Sequence, residues 1–154
     1  MATLWTSAAY ALDECESAWI RGVFTGRSPR PQLVAESEAW HRVDEIVRTT
    51  PDTFTLVGTG DSMQPLYPHG TILVLRETAF ADLQPGQTAV YRNAARRPVA
   101  HVLIAKARDG WRARGLNNRQ HDLDAVVPDN LVGVVVAAFM PIPPATGGIR
   151  LAAR

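Results

Sequence analysis

The chain has 154 residues, 46% hydrophobic and 20% charged, which suits one globular domain with a real hydrophobic core, alone or with a short appendage. Its 16 Lys+Arg and 15 Asp+Glu leave a net charge of +1, so no strong field points to nucleic acid or to an acidic membrane surface. Cys15 is the single cysteine, which excludes an internal disulfide framework and argues against a cysteine-based zinc site.

The first stretch, Met1 to Phe24, carries Asp13, Glu14 and Glu16 inside an apolar pattern. It lacks the basic start and unbroken apolar run of a signal peptide. Ala8, Leu12, Cys15, Trp19 and Val23 recur at helical spacing and predict a first helix, with Thr6 or Ser7 as its N-cap. Gly26-Arg-Ser-Pro-Arg-Pro31 breaks it. Leu33, Trp40, Val43 and Val47 form the stripe of a second helix over about Gln32 to Thr49, which Pro51 stops. Trp5, Trp19 and Trp40 are expected in core or helix–helix packing.

From Asp52 the texture changes to short β-rich runs between turns. Phe54 to Val57 is the first, and Ile72 to Leu75 follows the turn Tyr67-Pro-His-Gly70. Thr88 to Tyr91 follows Gln84-Pro-Gly86. Val99 to Ala105 and Trp111 to Arg114 read as a hairpin joined by Arg108-Asp-Gly110, and Val132 to Phe139 is the last. The pattern predicts a mainly β, mostly antiparallel domain over 51–140. A helical N-terminal appendage over 1–50 precedes it, and a flexible tail over 141–154 follows. The longest apolar run, Val132 to Pro143, falls short of the about 20 residues needed to span a bilayer. A soluble, cytoplasmic protein without a membrane span is therefore expected.

Chemistry concentrates in Gly58-Thr-Gly-Asp-Ser-Met-Gln-Pro65. Glycine permits a tight turn that exposes the Ser62 hydroxyl and frees backbone N–H groups around Gly60, Asp61 and Ser62 for an oxyanion. Gln64 stands where the Gly-x-Ser-x-Gly elbow of α/β-hydrolases has its second glycine, so that motif is excluded. A serine nucleophile needs a base. His41 lies in the polar part of the second helix, His69 in a Pro-His-Gly turn, and His121 in the polar loop Asn117 to Asp124. His101 lies inside an apolar strand, a rigid element suited to a fixed catalytic position. Lys106, the single lysine, follows five residues later, and strict alternation puts it on the opposite face of that strand. The loop carrying Asp122 and Asp124 reaches the His101 strand only if the hairpin folds it back. No paired histidine spacing, acidic calcium loop, phosphate loop or dinucleotide fingerprint is present, so no metal or cofactor is expected.

Gly60-Asp-Ser-Met-Gln-Pro65 followed by Gly70-Thr-Ile-Leu-Val74 resembles the Ser-Met-x-Pro box and next strand of the signal peptidase I and LexA-like serine peptidases. Leu83-Gln-Pro-Gly86 with Ala89-Val-Tyr91, Val99-Ala-His-Val102, Gly115-Leu-Asn-Asn118 through Asp122, and Leu131-Val-Gly-Val134 resemble later boxes of that superfamily, in order, over about residues 53 to 139. The resemblance implies a signal-peptidase-like β fold and a serine endopeptidase of the histidine-base type. Ser62 would be the nucleophile, His101 the base and Asp122 its acidic partner, with Met63 and Pro65 beside the substrate. The partner would be a peptide or protein, another chain or this one, with no nucleic acid; a homodimer is left open. Leu116, Val102, Thr71 and Gln87 depart from the family pattern, which has charged residues at these positions. The alternative is a catalytically inactive binding or regulatory module of the same fold, a LexA-like regulator without a clear DNA-binding domain.

Overall fold

The computed structural model describes residues 17–144. Along them run β1 (Trp19–Ile20), β2 (Val23–Phe24), β3 (Gln32–Ala35), α1 (Glu36–Thr49), β4 (Thr53–Val57), β5 (Ile72–Arg76), β6 (Thr88–Arg92), β7 (Pro98–Ala107), β8 (Gly110–Arg114) and β9 (Leu131–Ile142). The fold is mainly β. Six strands form an antiparallel path in the order β4-β5-β9-β6-β7-β8, and β3 joins β9 in parallel.

β9 holds this sheet together because it is long and rich in valine, and both of its edges are paired. Val134 stands opposite Arg76 of β5 and Ala89 of β6, while Phe139 stands opposite Ile72 of β5 and Gln32 of β3. β6 and β3 thus share one edge of β9, each at one end of it. β5 reads as an unbroken apolar run because both its faces are covered. Ile72 and Val74 pack with Ala39 and Val43 of α1 and with Phe139. Leu73 and Leu75 face a second cluster that contains Ile20, Met63, Leu66, Tyr67 and Leu116.

α1 starts with Glu36 and Glu38 and ends with Arg48, charges that complement its dipole. The Thr50 N–H donates to Ile46 O at 2.8 Å, and Pro51 cannot continue the helix. The helix begins four residues later than the hydrophobic stripe suggests. Residues 32–35 instead extend along β9, which leaves Leu33 62% exposed.

The predicted first helix does not reach Val23. Arg21 and Gly22 both have positive φ, 48° and 78°, and form the two-residue turn of a β-hairpin that pairs Ile20 with Val23. Ile20 and Val23 are buried in the core. The rest of that helix, with Trp5, Thr6, Ser7, Ala8, Leu12 and Cys15, lies outside the described residues. Trp19 and Trp40, expected in packing, are 59% and 38% exposed. Trp19 leans on the Phe24 ring, and the Phe24 ring lies where side chains on Gly26 and Gly86 would stand. The predicted tail start at Pro141 is also too early, because β3 pairs with Pro141 and Ile142. No described helix is long and apolar enough to cross a membrane.

Candidate active site

Ser62 sits on the loop between β4 and β5. Two backbone bonds close the neck of this loop, Gly58 N–H to Thr71 O at 2.8 Å and Gly70 N–H to Gly58 O at 2.9 Å. Gly60 turns the chain with φ 84°, a conformation that glycine adopts without strain. Helical turns follow, with Gln64 N–H donating to Asp61 O and Tyr67 N–H to Met63 O. Met63, Leu66 and Tyr67 bury their side chains in the core. This anchorage leaves Ser62 half-buried and Asp61 exposed at the sheet's end.

His101 projects from β7, opposite Ala89 of β6, and is buried. Its Nε2 lies 3.0 Å from Ser62 Oγ, and its Nδ1 lies 2.5 Å from Asp122 Oδ2. An ionised carboxylate only accepts, so Nδ1 carries the proton and the Nε2 lone pair faces the serine hydroxyl. The arrangement can draw the Ser62 proton onto an imidazole whose positive charge a carboxylate then balances.

The hairpin of β7 and β8 brings Asp122 there. Beyond β8 the loop is closed by a reciprocal pair of bonds between Trp111 and Val126, both 2.9 Å. Within it, Asp122 N–H donates to Ala113 O at 2.8 Å. Asn117 ties the loop to the serine: its N–H donates to Ser62 O at 2.8 Å, and its Nδ2 donates to Asp61 O at 3.2 Å. Arg21 of the N-terminal hairpin donates to Asn117 Oδ1. Gly115 lies where a β-carbon would stand 2.8 Å from Ser62 O and 2.9 Å from His101 Nε2. Asp124 turns away and accepts the Ala94 N–H at 3.0 Å.

Asp122 Oδ2 also accepts the Tyr91 hydroxyl. Burial pushes the Tyr91 phenol above its ordinary range, and the neighbouring carboxylates Asp122 and Asp124 push it further. Tyr91 is therefore a neutral donor.

The other candidate bases are elsewhere. His41 is exposed on α1, and exposed His69 accepts the Gly60 N–H at 3.2 Å. Exposed His121 donates from Nδ1 to Asp122 O at 2.9 Å. Lys106 is not on the opposite face from His101, because a register shift between Leu103 and Ala105 restarts the alternation. Lys106 then stands opposite Trp111, on the face that Leu103 shares with His101. Its Nζ is held over the Phe80 ring, 5.7 Å from the centroid, and does not join the Ser62–His101 pair.

A cleft of about 230 Å³ opens beside Ser62, lined by Leu56, Met63, Tyr67, Leu73 and Ala100 among others. Met63 thus lines the cleft, and Pro65, in a cis bond with Gln64, stands outside its lining. Of the four positions that depart from the resembled pattern, Leu116 and Val102 are fully buried core residues. Thr71 donates its hydroxyl to Pro68 O at 2.6 Å, and Gln87 Oε1 accepts the Gln84 N–H at 2.8 Å, so each closes its own turn. Sequence reasoning did not single out Tyr91, Gly115 or Asn117 one by one. Period-two alternation from Ala89, once paired with His101, is the signal that would have found Tyr91.

Among the described residues no cluster of His, Cys, Asp and Glu is suited to a metal ion. No protein-family model matches the chain, and no curated protein matches it.

Proposed function

We propose that the chain is a serine endopeptidase similar to the signal peptidase I and LexA-like enzymes, using Ser62, His101 and Asp122. The observation that carries this reading is the continuous hydrogen-bonded line from Ser62 Oγ through His101 to Asp122, at 3.0 Å and 2.5 Å.

In the reaction Ser62 Oγ attacks the peptide carbonyl carbon as its proton passes to His101 Nε2. The carbonyl π pair moves to oxygen. The Asp61 and Ser62 backbone N–H groups, which donate to no acceptor among the described residues, would bind that oxyanion. Collapse breaks the C–N bond, and the imidazolium gives its proton to the leaving amine. Water then enters by the same route in reverse and releases the acyl group. Asp122 keeps the imidazole in the right tautomer throughout. The cleft takes a substrate side chain against its apolar wall of Leu56, Met63 and Leu73. β4 ends the strand path beside it, so its outer edge offers backbone groups to an extended peptide.

The test is mass spectrometry of the purified chain and of Ser62→Ala, each incubated alone and with a peptide library. Cleavage of the chain or of library peptides by the wild type only is expected. Two identical spectra reject the peptidase and favour a binding module.

A further inference from the structure

We propose that Tyr91 is a positioning residue that holds the Asp122 carboxylate in line with His101. The proposal rests on the peptidase reading above and adds a fourth member to its hydrogen-bonded line.

The Tyr91 hydroxyl donates to the same oxygen, Asp122 Oδ2, that meets His101 Nδ1. The sheet sets this convergence. Ala89 stands opposite His101, and Tyr91, two residues further along β6, stands opposite Val99 of β7. Tyr91 and His101 therefore leave neighbouring strands on one face. The pairing of β6 with β9 shifts register between Val90 and Tyr91, but the extra residue, Val132, lies on β9, and β6 keeps unbroken register with β7, so alternation alone places Tyr91.

Asp122 itself lies on a loop, where side-chain torsions are the weak link in any catalytic geometry. Its backbone N–H is fixed to Ala113 O, and its carboxylate receives one donor from β6 and one from β7. Two donors arriving from different strands fix the oxygen in a way that neither does alone. Tyr91 has little freedom of its own, being 1% exposed and packed with Ala89, Leu103 and Val134. A tyrosine serving the core alone needs some acceptor for its hydroxyl. The acceptor here is the one residue that orients the imidazole.

The experiment compares Tyr91→Phe with the wild type in two readouts. The variant keeps the ring, and Asp122 keeps His101 as a partner, so the fold is retained; near-ultraviolet circular dichroism verifies this. The first readout is the far-downfield proton NMR resonance of the His101 Nδ1–H, assigned by its loss in His101→Ala. The second is the rate at which a fluorophosphonate probe labels Ser62, followed to saturation. The resonance is expected to move, and the limiting labelling rate to fall about tenfold at an unchanged half-saturating probe concentration. A wild-type resonance in Tyr91→Phe overturns the positioning role. A wild-type chain that resists the probe overturns the peptidase reading, and the resonance still decides the role of Tyr91.

Discussion

Gly115 stands so close to His101 that a β-carbon added to it would lie 2.9 Å from Nε2, the atom facing Ser62. The same β-carbon would press on Ser62 O at 2.8 Å, and neither contact is with a flexible chain end. Gly115→Ala must therefore push the serine loop and the imidazole apart. A misplacement of about 1 Å costs on the order of 100-fold in rate. The expected outcome is a loss of that size in fluorophosphonate labelling, with the melting temperature lowered by only a few degrees. Labelling at the wild-type rate would show that the loop yields freely at this point.

Ser62 and His101 act as one unit in the proposed reaction, so their losses should not add. Ser62→Ala, His101→Ala and the double variant are each expected to lose nearly all peptide cleavage, with the double little worse than either single. Lys106→Ala should keep most of the activity, since its ammonium is engaged with Phe80. Losses that multiply, or cleavage surviving in His101→Ala, would remove histidine from the mechanism.

Two buried phenols give the fold an alkaline limit. Burial raises both Tyr67 and Tyr91 above the ordinary value of 10.0, so in the unfolded chain each loses its proton first. A group with a raised folded pKa contributes stability that is complete below its unfolded pKa and drains away as pH rises toward the folded one. Stability should thus be insensitive to these phenols below pH 10 and fall above it. The slope approaches about 1.4 kcal/mol per pH unit for each tyrosine. Urea unfolding at a series of pH values measures this, and Tyr91→Phe should flatten the slope by roughly half.

Ile20 is fully buried among Met63, Leu66 and Leu116, the residues that anchor the serine loop and the Asp122 loop. Ile20→Ala is expected to cost about 2–5 kcal/mol in urea unfolding. A cost under about 1 kcal/mol would mean that the β1–β2 hairpin unfolds separately from the sheet.

The strands from 53 onward could be read from the sequence because each is local: several of the short apolar runs begin just after a turn glycine, Gly70, Gly86 or Gly110, each with positive φ. The elements that escaped depend on distant partners. Residues 32–35 carry a helix-compatible pattern, and only β9, about a hundred residues later, makes them a strand. Trp19 and Val23 fall at helical spacing by coincidence, while Arg21-Gly22 between them supplies the hairpin turn. Ser62 and His101 were visible as a serine in a glycine turn and a histidine in an apolar strand. Their pairing with Asp122 came from family resemblance, because no periodicity relates a loop to a strand. Lys106 was misplaced because the shift after Leu103 leaves no mark in the residue pattern.

The strand order has a consequence for how the chain is made. Ser62 belongs to the β4–β5 pair and His101 to the β6–β7–β8 group, and in the sheet these two groups meet only through β9. During synthesis β9 leaves the ribosome after both. Each group can pair its own strands while the chain is still growing. The strand that seats one beside the other is the last of the sheet to emerge. In the proposed reaction the Ser62–His101 pair is therefore completed only when the whole sheet has been synthesised, which gives the nascent polypeptide a built-in interval in which Ser62 has no base beside it.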